Sequence, residues 1–292
     1  MDLLSVSQEI CNTPPFRFST LGTQLIDIEA HTSLYLMNED WNTSLYLRFE
    51  RERTQPSRDL LARITIDQPE EIVDLGCGPG NSTAILRERW PSAKIVGLDN
   101  SPAMLEQAKK TDQKTEWRCE DVGSWRSSSQ VDLIFANASL HWLPDHEPLL
   151  NSLIQQLKPE GTLAFQVPAL YDQPATAAIR EISVLDAWKI YAPQSFPIVH
   201  APPVYHDYLA GKAGSVDLWE TTYYHLLPDH TAILDWYRSA GLRPYLEALP
   251  NDAAREEFQK RLLERFRILF PRQTNGDILL PFRRLFVVAT IR

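Results

Sequence analysis

The chain has little cysteine and an excess of acids over bases, and it lacks long apolar runs; each shortage excludes a class of protein. Three cysteines, Cys11, Cys77 and Cys119, are too few and too scattered for a disulfide framework or a zinc site, and they suit a reducing compartment. The 38 acids against 29 Lys and Arg give a net charge of -9, which disfavours nucleic acid or an anionic membrane as main partner. No run approaches the roughly 18 apolar residues of a membrane span. We expect a cytoplasmic protein without a bound metal and without a nucleic acid or membrane as partner.

The first 36 residues differ in composition from the rest. They carry four acids against one basic residue, Arg17, and contain the pair Pro14-Pro15. A mitochondrial presequence would be Arg-rich and acid-poor, and a secretory signal would have a basic start and a longer apolar block. We therefore expect residues 1–36 to form an N-terminal surface arm or a poorly ordered tail, and residues 37–292 to form the folded domain.

Short apolar runs alternate with helical patterns through the middle of the chain. The runs EEIVDLG, AKIVGLD, TEWRCED, VDLIFAN and GTLAFQV predict buried strands, and STAILRERW, SPAMLEQAKK and EPLLNSLIQQL predict the helices between them. In SPAMLEQAKK, Ser101 is placed to cap the helix and Pro102 to occupy its first turn. This alternation predicts a parallel sheet covered by helices on both faces. Two later segments, SVDLWETTYYHLL and RRLFVVATI, predict additional strands.

Other helical or irregular stretches flank and interrupt this pattern. Residues 42–64 predict helical pieces interrupted near Pro56. A Pro- and aromatic-rich insertion lies around residues 169–213, and a helical block lies around residues 231–270. Within that block, apolar residues recur at helical spacing and predict core packing: Phe258, Leu262, Phe266 and Leu269.

The stretch VDLGCGPGNSTAIL, residues 73–86, joins a predicted strand to a predicted helix through a glycine loop. Free backbone N–H groups at such a helix start can receive an anion or a nucleotide. A nucleoside triphosphate loop needs Lys and then Ser or Thr after its last glycine, whereas Asn81 and Ser82 follow here. A dinucleotide fingerprint needs its third glycine at position 81. The spacing D-x-G-x-G-x-G, from Asp74 through Gly76, Gly78 and Gly80, fits neither.

This compressed spacing resembles the loop of the S-adenosylmethionine-dependent methyltransferases with a Rossmann-like sheet. The resemblance implies an α/β fold with a seven-stranded, mostly parallel sheet whose last strand is antiparallel. It also implies helices on both faces, a helical cap insertion and S-adenosyl-L-methionine as the cofactor.

Three acids lie at the ends of three successive predicted strands, and each can bind a different polar group of this donor. Asp74 can face the ammonium group, Asp99 can accept from both ribose hydroxyls, and Asp121 can accept from the adenine amino group. The bare backbone from Gly76 to Gly80 lets the amino acid tail lie close. The predicted donor site comprises Asp74, Gly76, Cys77, Gly78, Pro79, Asn81, Asp99, Asn100, Met104, Asp121, Val122, Asn137, Ala138 and Tyr46.

Further blocks narrow the resemblance. DWNTSLYLRF, LIFANASLHWLPDH, TTYYH, GLRPYL and RRLFVVAT resemble segments of the trans-aconitate methyltransferase family, over nearly all of the chain after residue 39. That family esterifies one carboxylate of trans-aconitate, so the resemblance implies a small-molecule carboxylate substrate. Two other interpretations stay open: a methyltransferase of the same fold acting on a malonyl thioester carboxylate or a natural-product hydroxyl, and a non-catalytic S-adenosylmethionine-binding protein. The sequence leaves the oligomeric state open.

A carboxylate acceptor makes particular demands on the site. With a pKa of about 4 it is already ionised at pH 7, so no general base is needed. The remaining carboxylates must be held by Arg or His. His141, just after the fourth predicted strand, is the predicted catalytic residue, as a hydrogen-bond donor to the acceptor. Alternation along a strand predicts that Tyr223 and His225 share one face and Tyr224 takes the other. The predicted substrate-binding residues are Trp41, Trp142, Gln166, Tyr223, His225, Arg243 and Arg284, with Arg283 beside the last and Arg180 as a weaker candidate.

Overall fold

The structure is a computed structural model that describes residues 43–193 and 197–292. The predicted N-terminal arm and Trp41 lie outside these residues. Within them no helix is long and apolar enough to cross a membrane. One sheet forms the centre, and its strands are β1 (Glu71–Leu75), β2 (Lys94–Asp99), β3 (Glu116–Cys119), β4 (Val131–Asn137), β5 (Leu157–Pro168), β6 (Ala213–Leu227) and β7 (Ile278–Ile291).

The seven strands lie in the order β3-β2-β1-β4-β5-β7-β6. Strands β1 to β5 pair in parallel, and β7 is antiparallel to both of its neighbours, β5 and β6. The predicted mostly parallel sheet with an antiparallel last strand is therefore confirmed. Because β7 is reversed, its start lies at the same edge of the sheet as the carboxyl ends of β4 and β5.

Helices occupy the connections between these strands. Short 3-10 turns lie at Leu140–Trp142, Leu170–Asp172 and Lys189–Tyr191. The α-helices are α1 (Thr43–Leu47), α2 (Glu50–Ala62), α3 (Asn81–Arg89), α4 (Pro102–Thr111), α5 (His146–Gln155), α6 (Pro174–Ser183), α7 (Pro202–Ala210), α8 (His230–Arg238), α9 (Arg243–Ala248) and α10 (Asp252–Leu269).

Local signals account for several helix starts. Ser101 accepts a hydrogen bond from the Met104 N–H, and Pro102 opens α4, as predicted. Asp229 and Asn251 cap α8 and α10 in the same way. The expected break near Pro56 is wrong, because α2 runs through this buried proline. The proline removes a single backbone hydrogen bond, and the helix is held in place by its packing in the core.

Pairing with neighbouring strands sets the strand ends. The fourth strand has its predicted bounds, Val131–Asn137. The third ends at Cys119, two residues before the predicted Asp121, because Cys119 pairs with the last residue of β2 and no strand continues beyond it. The last strand begins earlier than predicted, because its ladder with β6 continues back to Ile278.

Apolar side chains cover both faces of the sheet, as the alternating pattern predicts. Helices α5 and α7 pack on one face, with Leu153 of α5 and Leu209 of α7 fully enclosed. Helices α2 and α3 pack on the other, with Leu60 of α2 and Leu86 of α3 fully enclosed. Together these contacts leave the carboxyl edge of the parallel strands as the place for a ligand.

The later helices have an apolar cluster of their own. It joins α6, α8, α9 and α10 to the end of β6 and the start of β7. Phe258, Leu262 and Phe266 are at most 1% exposed, which confirms the predicted core stripe, while Leu269 is only partly buried. We call this cluster the helical layer.

Candidate active site

The glycine loop between β1 and α3 has a backbone conformation that favours glycine. Gly76, Gly78 and Gly80 have φ angles of 67°, 55° and 92°. A Cβ at position 76 would lie 2.3 Å from the Ser139 Cβ, so the loop packs closely on the residues after β4. A Cβ at position 78 would meet no atom within 4 Å. The middle of the loop thus faces open space, where a ligand can lie against bare backbone.

Asp74, in β1, fixes the turn from strand to helix. It is fully buried, and its Oδ2 accepts hydrogen bonds from the hydroxyls of Ser82 at 2.7 Å and Thr83 at 2.6 Å. Burial raises the pKa of Asp74 to about 6, although the two hydroxyls lower it. Its Oδ1 has no hydrogen-bond partner among the described residues. That oxygen is the one left for the ammonium contact, which stays a prediction.

Asp99, the last residue of β2, holds the loop from the other side. The Gly78 N–H donates to its Oδ2 at 2.9 Å, and the Ser101 N–H donates to its Oδ1 at 2.9 Å. The carboxylate is partly exposed beside the open part of the loop. Because each carboxylate oxygen can accept more than one hydrogen bond, it suits a ligand with neighbouring hydroxyls.

Other predicted donor contacts surround this crevice. Asp121 is exposed beyond the end of β3, and its Oδ2 accepts from the Ser124 N–H at 2.9 Å. The Asn81 side chain donates to Glu50 of α2 at 3.2 Å, which ties α2 to the start of α3. Of the remaining predicted contacts, Asn100 is exposed, and the buried ones are Cys77, Pro79, Met104 and Val122.

The ends of β4 and β5 are joined by two amide side chains. Gln166 is fully buried, and its Nε2 donates to the Asn137 Oδ1 at 2.6 Å. The Ala138 N–H donates to the Gln166 carbonyl at 3.0 Å, and Ala138 has a φ of 56°. A left-handed conformation costs a non-glycine residue about 1–2 kcal/mol, and such strain concentrates at functional sites. The end of β4 is therefore a candidate for ligand contact.

Arg284, near the start of β7, is a buried cation without an acid. It is 3% exposed, its Nη1 donates to the Gln166 Oε1 at 3.1 Å, and its Nε has no hydrogen-bond partner in residues 43–193 and 197–292. It forms no ion pair with any described residue. Burial, followed by the charge of Arg53, lowers its pKa to about 10. Burying an unpaired charge is unfavourable, so this position suits a ligand that brings a negative charge.

The face of β6 beside Arg284 is the one predicted to reach the site. Thr221 pairs with Arg284 and Tyr223 with Phe282. Tyr223 and His225 therefore share the Arg284 face, whereas Tyr224 lies on the other face and is 66% exposed. This confirms the predicted division.

His225 and Tyr223 differ in how their polar atoms are used. His225 is buried, its ring lies 4.5 Å from the Trp236 ring, and its Nε2 has no hydrogen-bond partner in the part of the chain that the structure describes. Burial, followed by the charges of Arg284 and Arg53, lowers the pKa of His225 to about 4, so it is neutral at pH 7. The Tyr223 hydroxyl instead donates to Asp59 of α2 at 2.5 Å. His225 thus keeps a polar atom for a ligand on this face.

His141 lies in the 3-10 turn after β4. It is buried, its ring is 4.8 Å from that of Trp142, and none of the described residues forms a hydrogen bond with its Nδ1. Burial, followed by the charges of Arg284 and His146, lowers its pKa to about 3. The imidazole can therefore offer a hydrogen bond at pH 7 but not a charge.

Arg53, on α2, belongs with these residues and is absent from the sequence-based prediction. Its Nη2 donates to the Ser239 hydroxyl at 2.6 Å, and its guanidinium lies 4.1 Å from the Tyr46 ring. A helical stripe could have indicated it, since Arg53, Ser57 and Leu60 recur at the spacing of buried positions. An arginine on a buried stripe is uncommon and calls for a negative partner.

Three other candidate arginines already have surroundings of their own. Arg243 donates from Nε and Nη2 to Glu247 at 3.2 and 3.1 Å. Arg283 points to the opposite face from Arg284 and pairs with Asp172 and Glu220. Arg180 is exposed. Their roles as substrate contacts stay predictions.

The donor crevice and the arginine that forms no ion pair with a described acid, Arg284, lie along one edge of the sheet. Arg284 of β7 donates a hydrogen bond to Gln166 of β5, and Gln166 donates one to Asn137 of β4. The edge therefore combines an open glycine loop, a carboxylate and a buried cation, in an arrangement that can hold a donor beside an anionic acceptor.

Comparisons with known proteins agree with this arrangement. The family model described as "Methyltransferase domain" matches residues 72–161. Trans-aconitate 2-methyltransferase of Enterobacter sp. strain 638 is 47% identical over 254 residues, which are 86% of this chain and 98% of that protein. The enzyme of the same name from Escherichia coli K12 is 44% identical over 250 residues, with the same two coverages.

Two solved structures support the fold alone. The YcgJ protein of Bacillus subtilis has a TM-score of 0.54 at 11% identity, covering 82% of this chain and 99% of its own. Phosphoethanolamine N-methyltransferase 2 of Haemonchus contortus, in a complex with S-adenosylhomocysteine, has a TM-score of 0.51 at 13% identity and covers 82% and 53%.

The sheet order and the glycine loop define a Rossmann-like methyltransferase. Within this class, the match to the two trans-aconitate 2-methyltransferases covers 98% of the length of each of them. The chain belongs to the trans-aconitate 2-methyltransferase family, whose members are S-adenosylmethionine-dependent enzymes.

Proposed function

We propose that the protein transfers a methyl group from S-adenosylmethionine to one carboxylate of trans-aconitate. The observation that carries this proposal is Arg284, a buried cation with no acid among the described residues. A polycarboxylate supplies the missing negative charge, whereas an uncharged hydroxyl acceptor would leave it unmet.

The donor crevice has features that fit S-adenosylmethionine. The space beside Gly78 admits a ligand to the bare loop, and Asp99 would accept from the ribose hydroxyls. Asp121, exposed beyond β3, would accept from the adenine amino group. When bound, this donor supplies a methyl group on a positively charged sulfur.

The acceptor side has to hold and desolvate an anion. Because the acceptor carboxylate is ionised at pH 7, no side chain has to remove a proton. Arg284 would bind a carboxylate that does not react, with Gln166 fixing the direction of its guanidinium. Such positioning can supply several kcal/mol of rate enhancement.

His141 would act as a neutral hydrogen-bonding residue rather than as a base. Its lowered pKa keeps the imidazole uncharged, and the Nδ1 without a partner can bind the acceptor. The buried surroundings exclude water, which strengthens every electrostatic contact in the pocket. Trp142, beside it, would wall the cleft.

The test is a methyl-transfer assay with labelled donor and a panel of di- and tricarboxylates, a malonyl thioester and phenols. We expect base-labile methyl ester on trans-aconitate, with a higher kcat/KM than on any other acceptor. A preference for the thioester or a phenol would contradict the proposed acceptor. Donor binding without transfer to any acceptor would contradict the enzymatic role.

The domain organisation and location complete the proposal. Residues 37–292 would form the methyltransferase domain, with the insertion around 169–213 and the block around 231–270 capping the acceptor. The helical layer supports this role, because it carries Trp236 beside His225. We propose the cytoplasm as the location, since the donor is a cytoplasmic metabolite.

A further inference from the structure

Arg53 is a second arginine that forms no ion pair with a described acid. It is partly exposed, its Nε is enclosed without a hydrogen-bond partner, and it forms no ion pair with any described residue. The groups in contact with it are uncharged: the Ser239 hydroxyl at 2.6 Å, the Tyr46 ring at 4.1 Å and the Trp236 ring at 4.8 Å. The neighbouring Glu52 raises the pKa of Arg53 through its charge but forms no ion pair with it. These contacts orient the guanidinium and leave its charge unmatched.

Arg53 and Arg284 lie against one group of aromatic rings. Arg53 lies over Trp236, and Arg284 lies 5.0 Å from the centre of the Phe282 ring. The Trp236 and Phe282 rings are 5.2 Å apart, and the His225 ring is within 5.9 Å of both. The two cations therefore lie against one cluster of aromatic rings, and the His225 Nε2 in this cluster has no hydrogen-bond partner among the described residues.

The charges of Arg53 and Arg284 repel each other, and the charge of Arg53 lowers the pKa of Arg284. The residues of this group come from separate elements of the fold. Arg53 comes from α2, Arg284 from β7, and the rings between them come from β6, α8 and β7. No acid among the described residues forms an ion pair with either cation, and Glu52 acts on the charge of Arg53 only without such contact. A ligand with two carboxylates, one for each guanidinium, would relieve the repulsion and bind in a single orientation.

We propose that Arg53 is a second carboxylate-binding residue. Together with Arg284, it makes the site select acceptors that have at least two carboxylates, the reacting carboxylate counted among them. This inference rests on the proposed carboxyl methylation. Arg53 then acts as a specificity-determining residue, and Ser239 as a positioning residue that holds its Nη2.

Helix α2 also links this selection to the donor side. One turn before Arg53, Glu50 accepts a hydrogen bond from Asn81, at the start of the glycine-loop helix. The same helix thus contacts both the donor loop and the acceptor pocket, so Arg53 is held at a fixed place relative to the donor.

The experiment compares Arg53→Gln, Arg53→Lys and Ser239→Ala with the unaltered protein. Calorimetry in the presence of S-adenosylhomocysteine measures the affinity for trans-aconitate, and the transfer assay measures kcat and KM for trans-aconitate and for crotonate, a monocarboxylate. We expect Arg53→Gln to weaken trans-aconitate binding at least about 30-fold and to raise KM more than it lowers kcat. Arg53→Lys should restore part of the affinity, and Ser239→Ala should weaken it by less.

The control is Arg58→Gln on the same helix, where Arg58 is exposed and pairs with Glu88 on the surface. It should change neither affinity nor KM. If Arg53→Gln keeps the affinity and the preference for trans-aconitate over crotonate, the inference is overturned while the proposed function stands. If the unaltered protein binds trans-aconitate but transfers no methyl group, the proposed function fails and calorimetry alone decides the role of Arg53. Failure of the unaltered protein to bind any polycarboxylate would overturn both.

Discussion

The two halves of the active edge treat polar groups in opposite ways. Around the glycine loop, Asp74 and Asp99 accept hydrogen bonds from hydroxyls and backbone N–H groups of the fold itself. Around β7, Arg284 and Arg53 are held by neutral partners, and no described acid pairs with them. The donor half is therefore largely satisfied before a ligand binds, whereas the acceptor half stores an unmet charge. In the proposed function, this unmet charge binds the anionic acceptor at the expense of some stability.

The largest expected effect sharpens this contrast at Arg284. The substitution Arg284→Met should lower kcat/KM for trans-aconitate at least about 100-fold, because the variant lacks the buried charge that we expect to bind a carboxylate. The free energy of unfolding should stay the same or rise, since an unpaired buried cation is replaced by an apolar chain. Steady-state kinetics and urea unfolding measure the two quantities.

A surface arginine provides the control. Arg63→Met removes an ion pair with Asp217, and the exposure of both side chains keeps the contribution of that pair small. It should leave kcat/KM nearly unchanged. A destabilised Arg284→Met that keeps its activity would show that Arg284 is a structural residue.

On the donor side, Asp99→Ala should weaken S-adenosylmethionine binding by about 2 kcal/mol, because charge-assisted hydrogen bonds to the ribose are lost. Trans-aconitate affinity should change far less. Calorimetry with each ligand separates the two effects, and Asp217→Ala on the surface, where Asp217 pairs with Arg63, is the matched control. An unchanged donor dissociation constant would remove Asp99 from the donor site.

The open space in the loop predicts a smaller effect. Gly78→Ala and Gly276→Ala both place a Cβ on a residue with positive φ and no atom within 4 Å. Each should lower the free energy of unfolding by about 1 kcal/mol. Only Gly78→Ala should also weaken donor binding, by about tenfold, because its Cβ enters the space in which we expect S-adenosylmethionine to bind. Equal donor affinity in the two variants would place the ligand elsewhere.

The smallest expected effect is that of pH on catalysis. The pKa of His141 is lowered to about 3 and that of His225 to about 4, so both gain a proton only when the pH falls through those values. Neither changes charge near neutrality, and the acceptor needs no base. We expect kcat/KM to vary by less than about twofold between about pH 6.5 and pH 8.5. A tenfold rise in kcat/KM across that range would indicate a general base.

Much of the donor half could be predicted from sequence because its parts are contiguous. The loop follows β1 directly, and its glycines, Asp74 and the helix start all fall within residues 73–86. Asp99 ends the next strand, so its place at the sheet edge follows from topology alone. The role of Asp74 was harder to foresee, because its hydroxyl partners lie on the following helix.

The acceptor half could be predicted only in part. Alternation along β6 placed His225 correctly, but which of the adjacent arginines turns inward depends on the register of β7. Arg53 was missed, because its helical spacing with Ser57 and Leu60 indicates only that it is less exposed than Arg51 and Arg58, and not what its side chain contacts. Its importance arises from Trp236 and Ser239, which lie far away in the chain.

The position of β7 between β5 and β6 has a consequence for folding. Strand β6 is made before β7 and, in this sheet, pairs with β7 alone. It must wait for a segment some fifty residues later in the chain, which is a slow, non-local closure. Arg284 is enclosed by the same event. We therefore expect the burial of this unpaired charge to be one of the last folding steps, after the parallel part of the sheet has formed.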